Sequence, residues 1–444
     1  MNKLWESGFV RKILDKPTRV VLLGYASYVL ITWLLLCLPF SWQSENISVL
    51  DNLFIATSAI STTGLVTVNT PDAYNFFGEF IVACAFQVGG LGYMTLGSFV
   101  ILAREKKIST AREEIGETVF SLPENFNFKT FIRHTIIFTI LIETAGFILL
   151  YIAFARDGVP NALWAAIFHS ISAFCTAGFS VFPNSLENYS NHLFVNVVIS
   201  VLSLFGAIGF IVVSDIWLSI RRRRSRVTLT TRIILVATFS FIVAGWIFFF
   251  FADAAIAALP LRERFLTSGF QSMTAMTTVG FNTHPIGELA PAPVFVMLIL
   301  MVIGASPSGT GGGLKTTSIS AGLGAVWALL RGSKEVTLLG RRIPNNRLLS
   351  AFAAVMFYSV MFLLGSVLLL MVQTQAFTDI VFEAASALGT VGVSRGITGD
   401  LEPIGKLIII GLMFIGRVGP ITFGLALFKR PQRRIRLVEE DIAI

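Results

Sequence analysis

The chain has 444 residues, 54% of them hydrophobic and 14% charged, with a formal net charge of +8. Soluble chains carry about 25% charged residues, so an ordinary water-soluble globular fold is excluded. The basic excess is compatible with nucleic acid or a membrane surface, and its placement along the chain selects the membrane and no nucleic acid.

A membrane-spanning helix needs roughly 20 mostly apolar residues, and about eight runs approach that length. The N-terminus is polar, with Lys3, Arg11, Lys12 and Lys16, and carries no cleavable signal pattern. The first group has an apolar run from Val20 to Phe40, a short helix from Asp51 to Thr62 and a run from Phe76 to Ala103. The second has Phe131 to Phe154, a short helix from Asn161 to Cys175, and Leu193 to Ile220. The third has Ile233 to Phe251, a short helix from Leu261 to Thr277, and a run starting near Val294. The fourth has Leu348 to Val372, a short helix from Thr378 to Gly389, and Ile404 to Phe428. Asp51 and Thr378 suit the N-caps of two short helices. The groups occupy residues 1–110, 111–226, 227–340 and 341–444. The expected fold is an all-α membrane protein of four pseudo-symmetric span–pore-loop–span repeats around one central pore.

Each group carries one phrase: Ser or Thr, Ala, two variable residues, Thr, one residue, Gly. The copies are Ser58–Gly64, Ser172–Gly178, Thr274–Gly280 and Ser386–Gly392. One Thr-x-Gly has no weight; four in the same frame, each between two spans, are a strong signal. The short helices cannot span, so they enter and turn back. Irregular backbone at that depth survives only where protein buries it or water reaches it. The negative ends of their dipoles favour a cation. Carbonyl oxygens aimed at one point require φ values that glycine adopts readily. The filter residues are therefore Thr62, Thr63 and Gly64; Thr176, Ala177 and Gly178; Thr278, Val279 and Gly280; and Thr390, Val391 and Gly392, with the ion among the four glycines.

Of the 34 Lys and Arg, 27 lie on the side away from the motifs, and only Arg156, Arg262, Arg264, Arg395 and Lys406 lie on the motif side. The positive-inside rule puts the motifs outside and both termini in the cytoplasm. The run Arg221 to Arg226 is the strongest anchor and suits lipid headgroups. The second span of the third group is interrupted from Gly304 through Ala305, Ser306, Pro307, Ser308, Gly309, Thr310, Gly311, Gly312 and Gly313 to Lys315. Five glycines and a proline cannot stay helical there. This stretch reads as a gating loop below the filter. The corresponding spans elsewhere carry glycines (Gly89, Gly90, Gly92; Gly206, Gly209; Gly411, Gly416, Gly419) but read as unbroken. Arg417, charged and mid-span, is functional by default, opposing cation occupancy and pairing with the polar loop. Asp215 reads as snorkelling to the cytoplasm, and His169 as capping or packing. Cys37, Cys84 and Cys175 show no paired spacing and read as reduced core thiols.

Other chemistries fail on residues. A phosphate loop needs Gly-Lys adjacent, and Leu314 separates Gly313 from Lys315. A hydrolase elbow needs G-x-S-x-G, and Gly304-Ala305-Ser306-Pro307-Ser308 lacks the closing glycine. Inverted repeats of a secondary transporter do not suit four copies that run in one direction. The quadruple motif, with Gly304–Thr317 and Arg417, resembles the Trk/Ktr/HKT superfamily over nearly the whole chain, and most the Ktr membrane subunit. That resemblance implies potassium uptake, with sodium as an activating ion, and a homodimer with one pore per chain. It also implies a cytoplasmic nucleotide-binding regulatory subunit of the RCK type, and no cofactor in this chain. Some plant relatives carry Ser at the first filter position and favour sodium, so Gly64 points to potassium. The alternatives are a Trk-type or a sodium-preferring member.

Overall fold

The computed structural model describes residues 17–43, 47–92, 128–221, 227–419 and 422–424. The arginines at 222–226, most of the connector at 104–130 and the tail after Phe428 lie outside the described residues.

The principal helices are α1 (Pro17–Leu36), α2 (Val49–Ile60) and α3 (Phe76–Leu91). Next come α4 (Phe128–Arg156), α5 (Ala162–Phe174), α6 (Leu193–Ile208) and α7 (Phe210–Arg221). The third group gives α8 (Leu229–Ala252), α9 (Leu261–Thr277), α10 (Pro291–Ile303) and α11 (Thr316–Leu330). The fourth gives α12 (Asn345–Val372), α13 (Phe377–Gly389) and α14 (Pro403–Val418). A small hairpin, β1 (Thr337–Leu338) with β2 (Arg341–Arg342), joins α11 to α12. The short helices α2, α5, α9 and α13 fall within two residues of their expected positions.

Three expectations are corrected. The inner spans of the first, second and fourth groups are not unbroken: α3, α6 and α14 end at Gly92, Gly209 and Gly419, as α10 does at the expected break at Gly304, all at φ between 66° and 93°. The bend between α6 and α7 is 88°. A left-handed residue stops an α-helix, and an apolar count does not register one glycine. Among the described residues, therefore, the helices long enough to cross a membrane unbroken are α1, α4, α8 and α12, with α6–α7 a bent fifth. Second, Asp51 and Thr378 are not caps. Ser48 caps α2, its Oγ accepting from Asp51 N at 3.0 Å while donating to Asp51 Oδ2 at 2.6 Å. Ala376 precedes α13 without a side-chain cap. Third, Asp215 does not snorkel. It is buried, accepting from Thr228 N (2.8 Å) and Thr231 Oγ1 (2.7 Å) at the start of α8. Cys175 is buried and Cys84 faces outward.

The distribution of polarity is that of a protein in lipid. Leu34 is 54% exposed, Leu141 63%, Ile247 56% and Leu363 61%, one on each long helix. Meanwhile Ser58, Thr62, Ser172, Thr176, Thr274, Thr278, Ser386 and Thr390 are fully buried. Apolar surface of this extent needs lipid or a partner. The chain is a multi-pass membrane protein.

The inner helices press on the short ones. A Cβ at Gly89 would meet Ile60 O, at Gly206 Phe174 O, and at Gly416 Leu388 O. Those carbonyls share one motif position. In the third group Met301 stands three residues before the break; its carbonyl faces Gly389 of the fourth short helix, where a Cβ would fall within 2.9 Å. Gly206→Val forces Phe174 off its helix end and is expected to lower thermal stability by about 2 kcal/mol or more. A thermal-shift measurement on detergent-purified protein checks this, with Gly411→Val, a site with open space, as the unaffected comparison.

Candidate functional site: four Thr-x-Gly tips over an intramembrane loop

The short helices end alike. The residue after the motif Thr donates to the first motif carbonyl in every copy: Thr63 N to Ser58 O (2.8 Å), Ala177 N to Ser172 O (2.8 Å), Val279 N to Thr274 O (3.2 Å) and Val391 N to Ser386 O (2.8 Å). In three copies the Thr N–H also donates to the motif Ala carbonyl. This is a Schellman end with Thr in the left-handed position where Gly is usual. Thr62, Thr176, Thr278 and Thr390 have φ of 51°, 51°, 58° and 48°. A β-branched residue there costs about 1–3 kcal/mol. Four repetitions of that strain mark a functional backbone. Gly64, Gly178, Gly280 and Gly392 follow at φ of 94°, 68°, 87° and 92°. Positive φ on either side of an ordinary residue turns the chain out of the helix.

The four tips meet. A Cβ on Gly64 would fall within 2.5 Å of Ala177 O, one on Gly178 likewise on Val279 O, one on Gly280 on Val391 O, and one on Gly392 on Thr63 O. Each glycine thus abuts the next copy's carbonyl, and the fourth abuts the first. The ring is closed, and it is lined by main chain because no side chain fits. Motif Ser hydroxyls brace two tips, Ser58 Oγ accepting from Gly64 N and Ser386 Oγ from Gly392 N, both at 3.1 Å. At the motif end the neighbours are tied in the same order. Trp164 donates to Glu79, Asn282 to Glu187 (2.8 Å), and Arg395, paired with Asp379 of its own group at 2.6 Å, to Ile286 O (3.1 Å). Lys406 pairs with Asp51 at 2.8 Å, joining the last group to the first. Outside the membrane, burial pushes the Glu187 carboxyl above its usual range, against the lowering effect of Asn282.

The expected gating loop lies directly against the motif threonines. Thr62 Oγ1 donates to Thr310 O (3.2 Å), Thr176 Oγ1 bonds Thr310 Oγ1 (3.0 Å), and Gly312 N donates to Thr278 Oγ1 (3.1 Å). Thr390 Oγ1 is buried with no hydrogen-bond partner among the described residues, and a Cβ at Gly312 would strike it. The loop's main chain is held: Ser306 N by Ala207 O (3.0 Å), Thr310 N by Gly206 O (3.1 Å), Ala305 N by Gly312 O (3.0 Å). Ser308 O accepts from Phe210 N at 3.1 Å, so the break at Gly209 seats the loop near Pro307 and Gly309. Lys315 Nζ donates to Gly311 O at 2.7 Å. Arg417 donates to Thr310 O and Gly89 O, and to Gly90 O at 3.2 Å. On the far side is a cavity of about 560 Å³ lined in part by Tyr25, Gly89, Pro307, Gly313, Lys315 and Arg417.

Sequence reasoning named the tips, the loop and Arg417, and the structure brings all of them together. It missed the left-handed threonines, which no propensity suggests. It missed a fixed Phe four residues before each motif (Phe54, Phe168, Phe270, Phe382), all buried and legible by alignment of the copies. It also missed the pair behind the second tip, Gln87 Nε2 donating to Glu143 (3.1 Å) and Cys175 Sγ to Gln87 Oε1 (3.1 Å).

The four tips close into a ring of main-chain contacts, with the polar loop, Lys315 and Arg417 packed against the motif threonines inside an apolar helical shell. Residues 28–436 match the TrkH cation transport protein family, and the chain belongs to that family. It is a transporter and not an enzyme. It is 30% identical over 429 residues to the "Ktr system potassium uptake protein B" of Vibrio alginolyticus, covering 96% of this chain and 94% of that one. It is 33% identical to the "Potassium/sodium uptake protein NtpJ" of Enterococcus hirae, covering 98% of each. The crystal structure of the potassium transporter TrkH from Vibrio parahaemolyticus superposes with a TM-score of 0.71 at 19% identity, over 93% of this chain and 84% of that one.

Replacing Ser386 by Ala leaves Gly392 N without its acceptor and is expected to destabilise the protein by about 1–2 kcal/mol. Chemical denaturation of the purified protein, compared with Ser27→Ala, whose hydroxyl bonds the local Gly24 O, measures it.

Proposed function

We propose that the chain is the pore-forming membrane subunit of a Ktr-type potassium uptake system, with one pore in each chain. The observation that carries this reading is the closed ring of Gly64, Gly178, Gly280 and Gly392 against the carbonyls of Ala177, Val279, Val391 and Thr63. A potassium ion sheds its water for those oxygens, with the motif threonine hydroxyls as the next layer. The dipoles of α2, α5, α9 and α13 end there on their negative side. The names of the relatives support potassium as cargo. The Enterococcus relative's name, with both ions in it, keeps sodium as a second cargo or as the activating ion.

Residues 304–315 are the gate. With Thr310 and Gly312 bonded to the motif threonines, the loop fills the path below the ring, and Lys315 and Arg417 set positive charge where an ion must pass. Charge placement supports an orientation with the motif end outside and both termini in the cytoplasm. A homodimer, with an RCK-type nucleotide-binding subunit on the cytoplasmic face working the gate, completes the proposal.

Two experiments test it. Gly64→Ser or Gly178→Ser is expected to reduce the preference for potassium over sodium by about tenfold, ~1.4 kcal/mol. Uptake of each ion by cells that depend on added potassium measures it, and an unchanged ratio refutes the filter. Arg417→Ala, or deletion of residues 306–313, is expected to raise potassium flux in liposomes several-fold. A fall in flux at equal protein content refutes the gate.

A further inference from the structure

Three residues before each motif copy, on the helix face that also presents the motif's first hydroxyl, stands a residue that is completely buried: Ile55, His169, Gln271 and Glu383. Three of the four are polar, and all three reach the segment that leaves the ring. His169 Nδ1–H donates to Ala165 O at 2.7 Å, which leaves Nε2 of the neutral ring to accept from Ser180 Oγ at 2.9 Å. Ser180 lies two residues past Gly178. Gln271, its amide oxygen facing the segment, accepts from Thr283 N at 3.2 Å and His284 N at 3.1 Å, past Gly280. Glu383 accepts from Ser394 Oγ at 2.9 Å, two residues past Gly392, and from Thr398 Oγ1. The segments are further fixed by their own turns: Ser180 Oγ accepts from Phe182 N at 2.9 Å, and Ser394 Oγ from Gly396 N at 3.0 Å. In the first copy Ile55 offers no such bond and sits in an apolar cluster with Tyr74 and Val82.

We infer that His169, Gln271 and Glu383 are positioning residues for ion selection: each anchors the outgoing end of one tip to its own helix, and so fixes how far that tip's oxygens stand from the ion. This rests on the filter reading above. A buried polar group without its partner carries a large penalty, so these side chains hold the outgoing segment in one place. The tip is then clamped from both sides, by the Schellman turn on entry and by the tether on exit. The first tip has no such bond from Ile55; it has the entry clamp, the Ser58 brace and a hydroxyl contact between Ser61 Oγ and Thr63 Oγ1 at 2.6 Å. The first quadrant is therefore held differently from the other three. A ring that adapts less discriminates ion size more, so loss of a tether lets the ring close on the smaller sodium ion.

The test uses purified full-length protein in liposomes at matched protein content, with potassium and sodium uptake measured separately. Glu383→Leu, Gln271→Leu and His169→Leu each lower the potassium-to-sodium ratio by about three- to tenfold, the scale of one buried hydrogen bond. Glu383→Gln, which keeps an acceptor for one of its two donors, retains most of the ratio, and Ile55→Leu leaves it unchanged. Ser180→Ala, and Ser394→Ala combined with Thr398→Val, cut the tethers from the segment side without touching the helix and lower the ratio as well, so the inference stays exposed even where a leucine variant does not fold. A merely structural role lowers both fluxes together. An unchanged ratio in Ser180→Ala and in the Ser394→Ala, Thr398→Val double variant overturns the inference. Gly280→Ser in the same assay separates the two readings: if it shifts the ratio while the serine variants do not, the tethers fail and the filter stands. If Gly280→Ser also leaves the ratio alone, the filter itself fails.

Discussion

The close approach of four glycines to four carbonyl oxygens is the constraint on which the rest of the molecule depends. Each contact is too tight for a Cβ, so the ring exists only if the tips arrive within a few tenths of an ångström of their places. The helices that deliver them end at left-handed threonines, a conformation that β-branched residues resist. That strain persists only where the surroundings over-determine it. Here they do: helix-end hydrogen bonds and serine braces act on the tips, and polar contacts join the neighbouring groups around them.

The loop under the ring solves a different problem. Non-helical main chain within a membrane must find its hydrogen-bond partners in the protein. The loop finds them in Gly206, Ala207 and Phe210, which the break at Gly209 exposes. Arg417 and Lys315 satisfy their donors on carbonyls of the loop and of Gly89 and Gly90. No carboxylate is among those contacts. Arg417 also couples the loop to the end of α3, so a shift of either is felt by the other.

Much of this was legible in the sequence because the four copies are each other's controls. One Thr-x-Gly is uninformative, but four in frame fixed the location of the tips and the short helices to within two residues. The polar interruption at 304–315 stood out against its apolar flanks. What escaped notice was single-residue backbone geometry. Gly92, Gly209 and Gly419 break their helices although the neighbouring residues are apolar, because one positive φ ends a helix whatever its hydropathy. Asp215 looked like a charge seeking water, yet it finds two donors at the start of α8. The caps were misplaced because Asp51 and Thr378 suit that role by type, whereas Ser48, one turn earlier, has the geometry.

A ring assembled from one polypeptide differs from a ring of four identical subunits in what a single substitution does. In a homotetramer every change is made four times at once, and a harmful one has no intact quadrant to fall back on. Here Ser61, Cys175, Thr277 and Gly389 occupy one motif position, and Met301 stands where the other inner helices have glycine. Each quadrant has drifted on its own while the circle stayed closed. Tuning of such a pore by natural variation is therefore gradual, one quarter at a time.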